Sequence, residues 1–223
     1  MSLKTLLQRA TVVGVYLLMT GTALAISDSV ANANVLGNPG FESPVIPAGP
    51  PEYYGAGSAW TSFGGGIYTV GAVVAPPHSG GQLLKTFGGC CSGAFQQFPA
   101  VPGQLWNGGV WMLNYTGDPM TGGQVGAVNI EWIKADGVTQ SSITPFISNG
   151  TFTAASPRNT WTLQPISGIV PGDAAYVRLV VITGDFQPGG PGGAPFFDDA
   201  FLDVDQPVPA KGSTWGRIKT MYR

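Results

Sequence analysis

Turn signals limit this chain more than any other feature of its sequence. From residue 34 onward, glycine- and proline-bearing turns recur about every 8–12 residues, a spacing that suits short strands and leaves no room for long helices. The runs between them are β-branched and aromatic. Val125 to Lys134 is the clearest, and Ala135-Asp136-Gly137 turns it back as a hairpin signal. In Ala175 to Thr183, alternation puts Val177, Leu179 and Val181 on one face. Further strands are expected over 60–63, 67–74, 82–87, 94–98, 106–115, 138–146, 161–169 and 196–204, with Ser148-Asn149-Gly150 as a turn. Ser43 to Gly57 carries four prolines and is expected to be an exposed loop, because proline cannot donate to a ladder. Gln187 to Pro195 is a second Gly/Pro loop. The pattern predicts an all-β sandwich or barrel of about ten short antiparallel strands.

Charge and composition narrow the function. Only 10% of residues are charged, while Gly numbers 34 and Pro 19. Residues 1–25 read as an export signal: Lys4 and Arg9 form a basic start, 10–24 is nearly free of polar side chains, and Ala23-Leu24-Ala25 is a small-x-small cleavage site. The apolar stretch is short for a membrane core of about 30 Å, so no span is expected in the mature chain. Losing Lys4 and Arg9 takes the net charge from −2 to −4, and an acidic chain without basic clusters is a poor nucleic-acid binder. The expected division is a leader over 1–25, an extension over 26–33, one β domain over 34–206, and a linker with a basic tail over 207–223. The tail holds Lys211, Arg217, Lys219 and Arg223 with no acid, and is read as a loose terminus or as a segment for surface attachment or self-association. A secreted or cell-surface location follows. Cys90 and Cys91 are adjacent, so they form a vicinal ring, pair with another chain, or stay free.

Asn34 to Glu42 joins an apolar start (Val35, Leu36) to a turn cluster (Gly37, Asn38, Pro39, Gly40) and then to Phe41 and Glu42. It is expected to be the first strand and turn, with Phe41 in the core and Glu42 facing the other way. Two readings of Glu42 stay open on these residues: a solvated carboxylate, or a ligand for a hard cation such as Ca²⁺.

The segment Asn-Val-Leu-Gly-Asn-Pro-Gly-Phe-Glu resembles the opening of the carbohydrate-binding module superfamily that includes families 4, 9 and 22. Other pieces follow in the same order: Trp60, His78 to Gln82, Phe95-Gln96-Gln97, Val101-Pro102-Gly103, Trp132 with Ala135-Asp136-Gly137, Trp161, Pro171 to Ala175 with Val177-Arg178-Leu179, and Phe197-Asp198-Asp199-Ala200. The resemblance covers 34–205 and implies a β-sandwich jelly roll that binds polysaccharide or cell-surface glycan, often with a structural calcium. It implies Glu42 with Asp198 or Asp199 as ligands to that ion. Strand alternation sends the two aspartates to opposite faces, so one of them is expected to ligate by side chain.

Sugar rings stack on aromatic faces while their hydroxyls pair with polar side chains. Trp60, Tyr68, Trp111 and Trp132, with Gln96 and Glu131, are the residues of suitable chemistry, weighed against packing roles for each tryptophan. Trp106 and Trp161 are assigned to the core. Catalysis is not expected. His78 is the one histidine and has no recognisable nucleophile beside it, and no pair of carboxylates is placed for glycoside hydrolysis. The expectation is an exported, non-catalytic carbohydrate-binding protein. The alternative is a structural or adhesive surface protein of the same fold with no sugar site.

Overall fold

A computed structural model describes residues 33–46, 53–87, 91–185 and 192–205. The expected leader, the tail, Cys90 and most of the 187–195 loop lie outside the described residues. Among those described, eleven strands run β1 (Tyr53–Tyr54), β2 (Thr61–Phe63), β3 (Ile67–Gly71), β4 (Gln82–Thr86), β5 (Ser92–Pro99), β6 (Leu105–Asn114), β7 (Gln124–Ile133), β8 (Phe146–Thr153), β9 (Thr162–Ile169), β10 (Tyr176–Asp185) and β11 (Pro195–Asp205). They form two antiparallel sheets, one of six strands in the order β1-β3-β4-β11-β6-β9 and one of five in the order β2-β5-β10-β7-β8.

Alternation builds the core between the sheets. Even-numbered residues of β7 (Val128, Ile130, Trp132) and odd-numbered residues of β10 (Val177, Leu179, Val181) lie side by side on one face of the five-stranded sheet and join even-numbered residues of β6 (Trp106, Val110, Met112), from the other sheet, in one apolar cluster. Each such side chain, fully buried, contributes about 1.5–3 kcal/mol. A smaller cluster of Val70, Leu83, Leu113 and Phe196 covers the other face of the six-stranded sheet. Trp161 packs against that outer cluster rather than in the main core.

Four local expectations change. Residues 34–42 keep the turn but form no strand. Asn34 docks that segment on β11 instead: its Nδ2 donates to Ala200 O and its Oδ1 accepts from Leu202 N–H, both at 3.0 Å. The proline-rich loop contains the two-residue strand β1. The strand expected over 138–146 is broken, and β8 begins only at Phe146. Asp173 draws residues 141–142 aside, accepting from Ser141 Oγ and Ser142 N–H. Ser148-Asn149-Gly150 sits inside β8, where the register against β7 slips between Gly126 and Val128, so this turn signal marks a bulge.

The turn after β7 is locked by Asp136. Hydrogen bonds from the Thr139 hydroxyl and from the main-chain N–H groups of Val138 and Thr139 hold its carboxyl down at about 2. A depressed folded-state pKa stabilises above the unfolded value near 3.8, and that contribution is lost as pH falls through about 2. Asp136→Ala should therefore melt below the parent at pH 7, with the two Tm values converging at pH 2. Thermal melts across that range check this.

Candidate functional site

The outer face of the five-stranded sheet carries the residues that the core does not use. Since β7 turns its even positions inward, Val125, Ala127, Asn129 and Glu131 face outward. On β10 their partners are Gly184, Ile182, Val180 and Arg178. Phe95 and Gln97 of β5 lie opposite Val180 and Arg178, and Phe146 and Ser148 of β8 opposite Glu131 and Asn129. Two hollows follow this face. One, of about 320 Å³, is lined by Phe63, Phe95, Glu131, Val138, Gln140, Arg178 and Val180. The other, of about 400 Å³, is lined by Val125, Ala127, Asn129, Phe146 and Ile182, with Cys91, Ser148, Gly150 and Gly184.

The first hollow has a fixed polar wall. The Arg178 guanidinium lies over the Phe95 ring, 4.2 Å from its centroid. Its Nε and Nη2 donate to Gln97 Oε1 (3.1 and 2.7 Å), and Nη1 donates to Glu131 Oε2 (3.3 Å). Three contacts pin one planar group, so little side-chain entropy remains to be lost on binding. The charges of Arg178 and Glu131 offset one another. Asn129 lines the second hollow, while its side-chain oxygen has no exposed surface and accepts no hydrogen bond.

Of the six residues selected from sequence, only Glu131 lines these hollows. Trp132, the next residue, points the opposite way and is 1% exposed. Trp60 is 8% exposed, stacks on Phe41 at 5.1 Å and donates Nε1–H to Asn38 O. Gln96 is buried and exchanges two hydrogen bonds with the backbone of Gly37. These three are packing residues, and their faces are closed to a sugar. Tyr68 and Trp111 belong to the six-stranded sheet, where Tyr68 stacks on Phe87 at 5.5 Å and His78 stacks on Trp111 at 4.2 Å. Phe63, Phe95, Gln97, Asn129, Phe146 and Arg178 were missed, although strand alternation starting from Glu131 points to Asn129 and Ala127. Cys91 is disulfide-bonded.

The three carboxylates assigned to calcium each bond to residues 78–82, without grouping closely enough to hold an ion on their own. The register of β11 against β6 slips between Asp198 and Phe201, and Asp199 has a φ of +44°. This bulge undoes the alternation expected of Asp198 and Asp199, and both carboxylates engage the 78–79 loop. Main-chain N–H groups of His78 and Ser79 donate to Asp198 Oδ2 (2.8 and 3.1 Å), and the Ser79 hydroxyl donates to Asp199 Oδ1 (2.8 Å). Gly81 and Gln82 N–H groups donate to Glu42 Oε1 (2.8 and 3.1 Å). Burial pushes the Asp198 carboxyl up to about 7, and the Asp199 charge adds to the effect.

The donor set has calcium chemistry. A Cβ on Gly40 would meet Asp199 Oδ1 at 3.3 Å and Asp198 Oδ1 at 3.6 Å, so the glycine leaves an oxygen-walled cradle. Among the described residues no three His, Cys, Asp or Glu side chains group closely enough to hold an ion on their own. An ion here would need its remaining oxygens from main-chain carbonyls or water. His78 Nδ1 lies 2.6 Å from Asp199 Oδ2, and Ser79 is bonded to the same carboxylate rather than to the histidine. This arrangement lacks the serine-to-histidine bond of a nucleophilic relay.

No family model and no curated protein matches this chain. Among solved structures, the enzymatically active domain of bacteriophage CBA120 tailspike protein 4 aligns with a TM-score of 0.52 at 14% identity, over 77% of this chain. The fold is a β-sandwich jelly roll. The chain spans about a fifth (21%) of that tailspike chain. Other solved structures found are TmCBM61 in complex with β-1,4-galactotriose (TM-score 0.49, 17% identity, 78% of this chain and 100% of that one) and the C-terminal family 22 carbohydrate binding module of Clostridium thermocellum Xyn10B (0.47, 16%, 78% and 96%). At these identities the likeness is one of fold.

Gly80 shows how tightly the carboxylate loop of this jelly roll is built. Its φ is +61°, and a Cβ there would lie 2.0 Å from Glu42 Oε1. Gly80→Ala should cost about 1–3 kcal/mol of stability through backbone strain and displacement of Glu42. Chemical denaturation of the two proteins reads this directly.

Proposed function

We propose that this jelly roll binds a polysaccharide in the groove on the outer face of its five-stranded sheet and does not cleave it. The observation that carries the reading is the Arg178 guanidinium pinned between Phe95, Gln97 and Glu131. Sugar recognition requires apolar ring faces beside polar groups held in place, and the groove offers both. Among the described residues lining it, Glu131 is the one carboxylate, and it is engaged by Arg178. Glycoside hydrolysis calls on two. The 1–25 pattern supports an exported protein working on an extracellular or cell-surface glycan. Among the described residues no helix is long and apolar enough to cross a membrane.

The test is a titration of the full chain, with calcium, across soluble and insoluble polysaccharides. Saturable binding is expected, and Phe95→Ala should weaken it about tenfold, the scale of one aromatic contact. Trp111→Ala, on the other sheet, should change it less than about twofold, within the usual range for a residue outside the contact. Absence of binding to every polysaccharide, with the fold intact, would favour the structural or adhesive alternative.

A structural calcium held by Glu42, Asp198 and Asp199 is the second part of the reading. It rests on their shared position around Gly40 and the burial of Asp198. When bound, the ion would supply positive charge to the cluster and join the 39–42 turn to β11. Calcium at about 100 times its Kd should stabilise the fold by about 2.7 kcal/mol. Asp198→Asn should abolish that response. A Tm unmoved by chelator and by excess calcium would remove the ion from the account.

A further inference from the structure

The groove contains a cation whose charge is already answered. From residue 34 to 205 the Lys and Arg side chains are Lys85, Lys134, Arg158 and Arg178. Lys85 pairs with Asp118 (3.0 Å), Lys134 with Asp173 (3.7 Å) and Arg178 with Glu131 (3.3 Å). Among the described residues lining the two hollows, Arg178 is the one cation. Arg178 and Glu131 are register partners on β10 and β7, so the ladder itself keeps the two charges together. Both line the hollow beside Phe95, and each side chain is 18% exposed, so a molecule in the hollow meets the pair directly.

A guanidinium is well suited to the carboxylate or sulfate of an acidic glycan, because its planar N–H groups meet two oxygens at once. Here those groups are committed: Nε and Nη2 donate to Gln97, and Nη1 donates to Glu131. An acidic sugar entering the hollow would have to displace Glu131 or lie beside it, and like charges set side by side repel. A second carboxylate adds to this. Asp136 accepts from Val138 N–H (3.0 Å), and Val138 lines the same hollow. An uncharged sugar meets no such cost. Its hydroxyls accept from the N–H groups of Arg178 that remain and donate to Glu131.

We propose that Glu131 is a specificity-determining residue: by pairing with Arg178 it makes the groove take uncharged glycans and refuse uronates and sulfated sugars. This rests on the polysaccharide-binding reading and narrows its class of ligand. Glu131 acts by penalising the wrong partner. Taking away its charge while keeping its shape turns Arg178, still held over Phe95 by Gln97, into an open carboxylate site.

The test is calorimetric titration of the full chain with pairs of soluble oligosaccharides that share a backbone and differ in charge. The pairs are a cello-oligosaccharide and the same chain with its primary hydroxyls oxidised to carboxylates, a manno-oligosaccharide and an oligomannuronate, and methyl-esterified and de-esterified oligogalacturonate. In any pair that binds, the uncharged member should be favoured at least about tenfold, a modest share of what an unfavourable charge contact costs. In Glu131→Gln that ratio should fall to about one or below, and added salt should weaken the gain in acidic binding. Arg178→Gln leaves Glu131 without its partner, so the ratio should widen; this second variant keeps the proposal open to refutation if the first does not fold. Binding of an acidic oligosaccharide as tightly as its uncharged counterpart in the parent overturns the selection and leaves the groove reading standing. A ratio that both substitutions leave unchanged overturns the role of Glu131. Failure of every oligosaccharide to bind, with the fold intact, overturns both.

Discussion

Asp198 is a carboxylate with no exposed surface, and the two ends of the described domain are joined around it. Burying a carboxylate is costly unless its oxygens are met. Three main-chain N–H groups, from His78, Ser79 and Asp199, meet them. Those bonds draw the 78–82 loop onto β11 at the place where pairing with β4 has ended. The same bulge brings Ala200 N–H to Pro39 O (3.0 Å) and lets Asn34 grip Ala200 and Leu202. The first described segment is thus held by the Asn34 side chain and by isolated main-chain bonds (Val35 N–H to Leu202 O, Ala200 N–H to Pro39 O) rather than by a continuous ladder, and Phe41 is seated in the core with a φ of +57°. A backbone strained in that way persists only when its surroundings fix it.

The second constraint is strand parity. A sheet with one face committed to the core has no choice about what the other face displays. Once Trp132, Ile130 and Val128 are inside, Glu131, Asn129 and Ala127 are outside, and the register of β10 and β5 places Arg178, Val180, Phe95 and Gln97 beside them. The groove is a consequence of how the core is packed. Its polar wall is rigid because Arg178 is bonded to both neighbouring strands.

Most of the fold was legible in the sequence. Turn spacing and β-branched runs located nine of the strands to within a few residues, and the order of the motifs led to the jelly roll. The failures were at bulges. Alternation reads through Asp198-Asp199 as though the ladder were regular, and Ser148-Asn149-Gly150 reads as a turn, while in both strands the structure has one extra residue that changes the facing. The site was less legible for a different reason. Trp60, Trp132 and Gln96 were chosen for chemistry that suits sugar, but size and amide groups serve a core equally well. Glu131 and Trp132 are neighbours on one strand, so only one of them can line a face. Gln96 and Gln97 pose the same choice: Glu131 lines the groove, and Gln97, the outward glutamine, holds the Arg178 that lines it. The Arg178–Phe95–Glu131 arrangement joins three strands that are distant in sequence, and pattern reading has no access to that register.

The central claim is that the outer face of the five-stranded sheet is the binding face. Backbone amide chemical shifts, followed in isotope-labelled protein during titration with a polysaccharide fragment, test it most directly. The account predicts that the largest shifts fall on β5, β7 and β10 around Phe95, Asn129, Glu131 and Arg178, with the Arg178 Nε–H resonance among them. Shifts concentrated instead around His78, Trp111 and Tyr68 on the six-stranded sheet would contradict it.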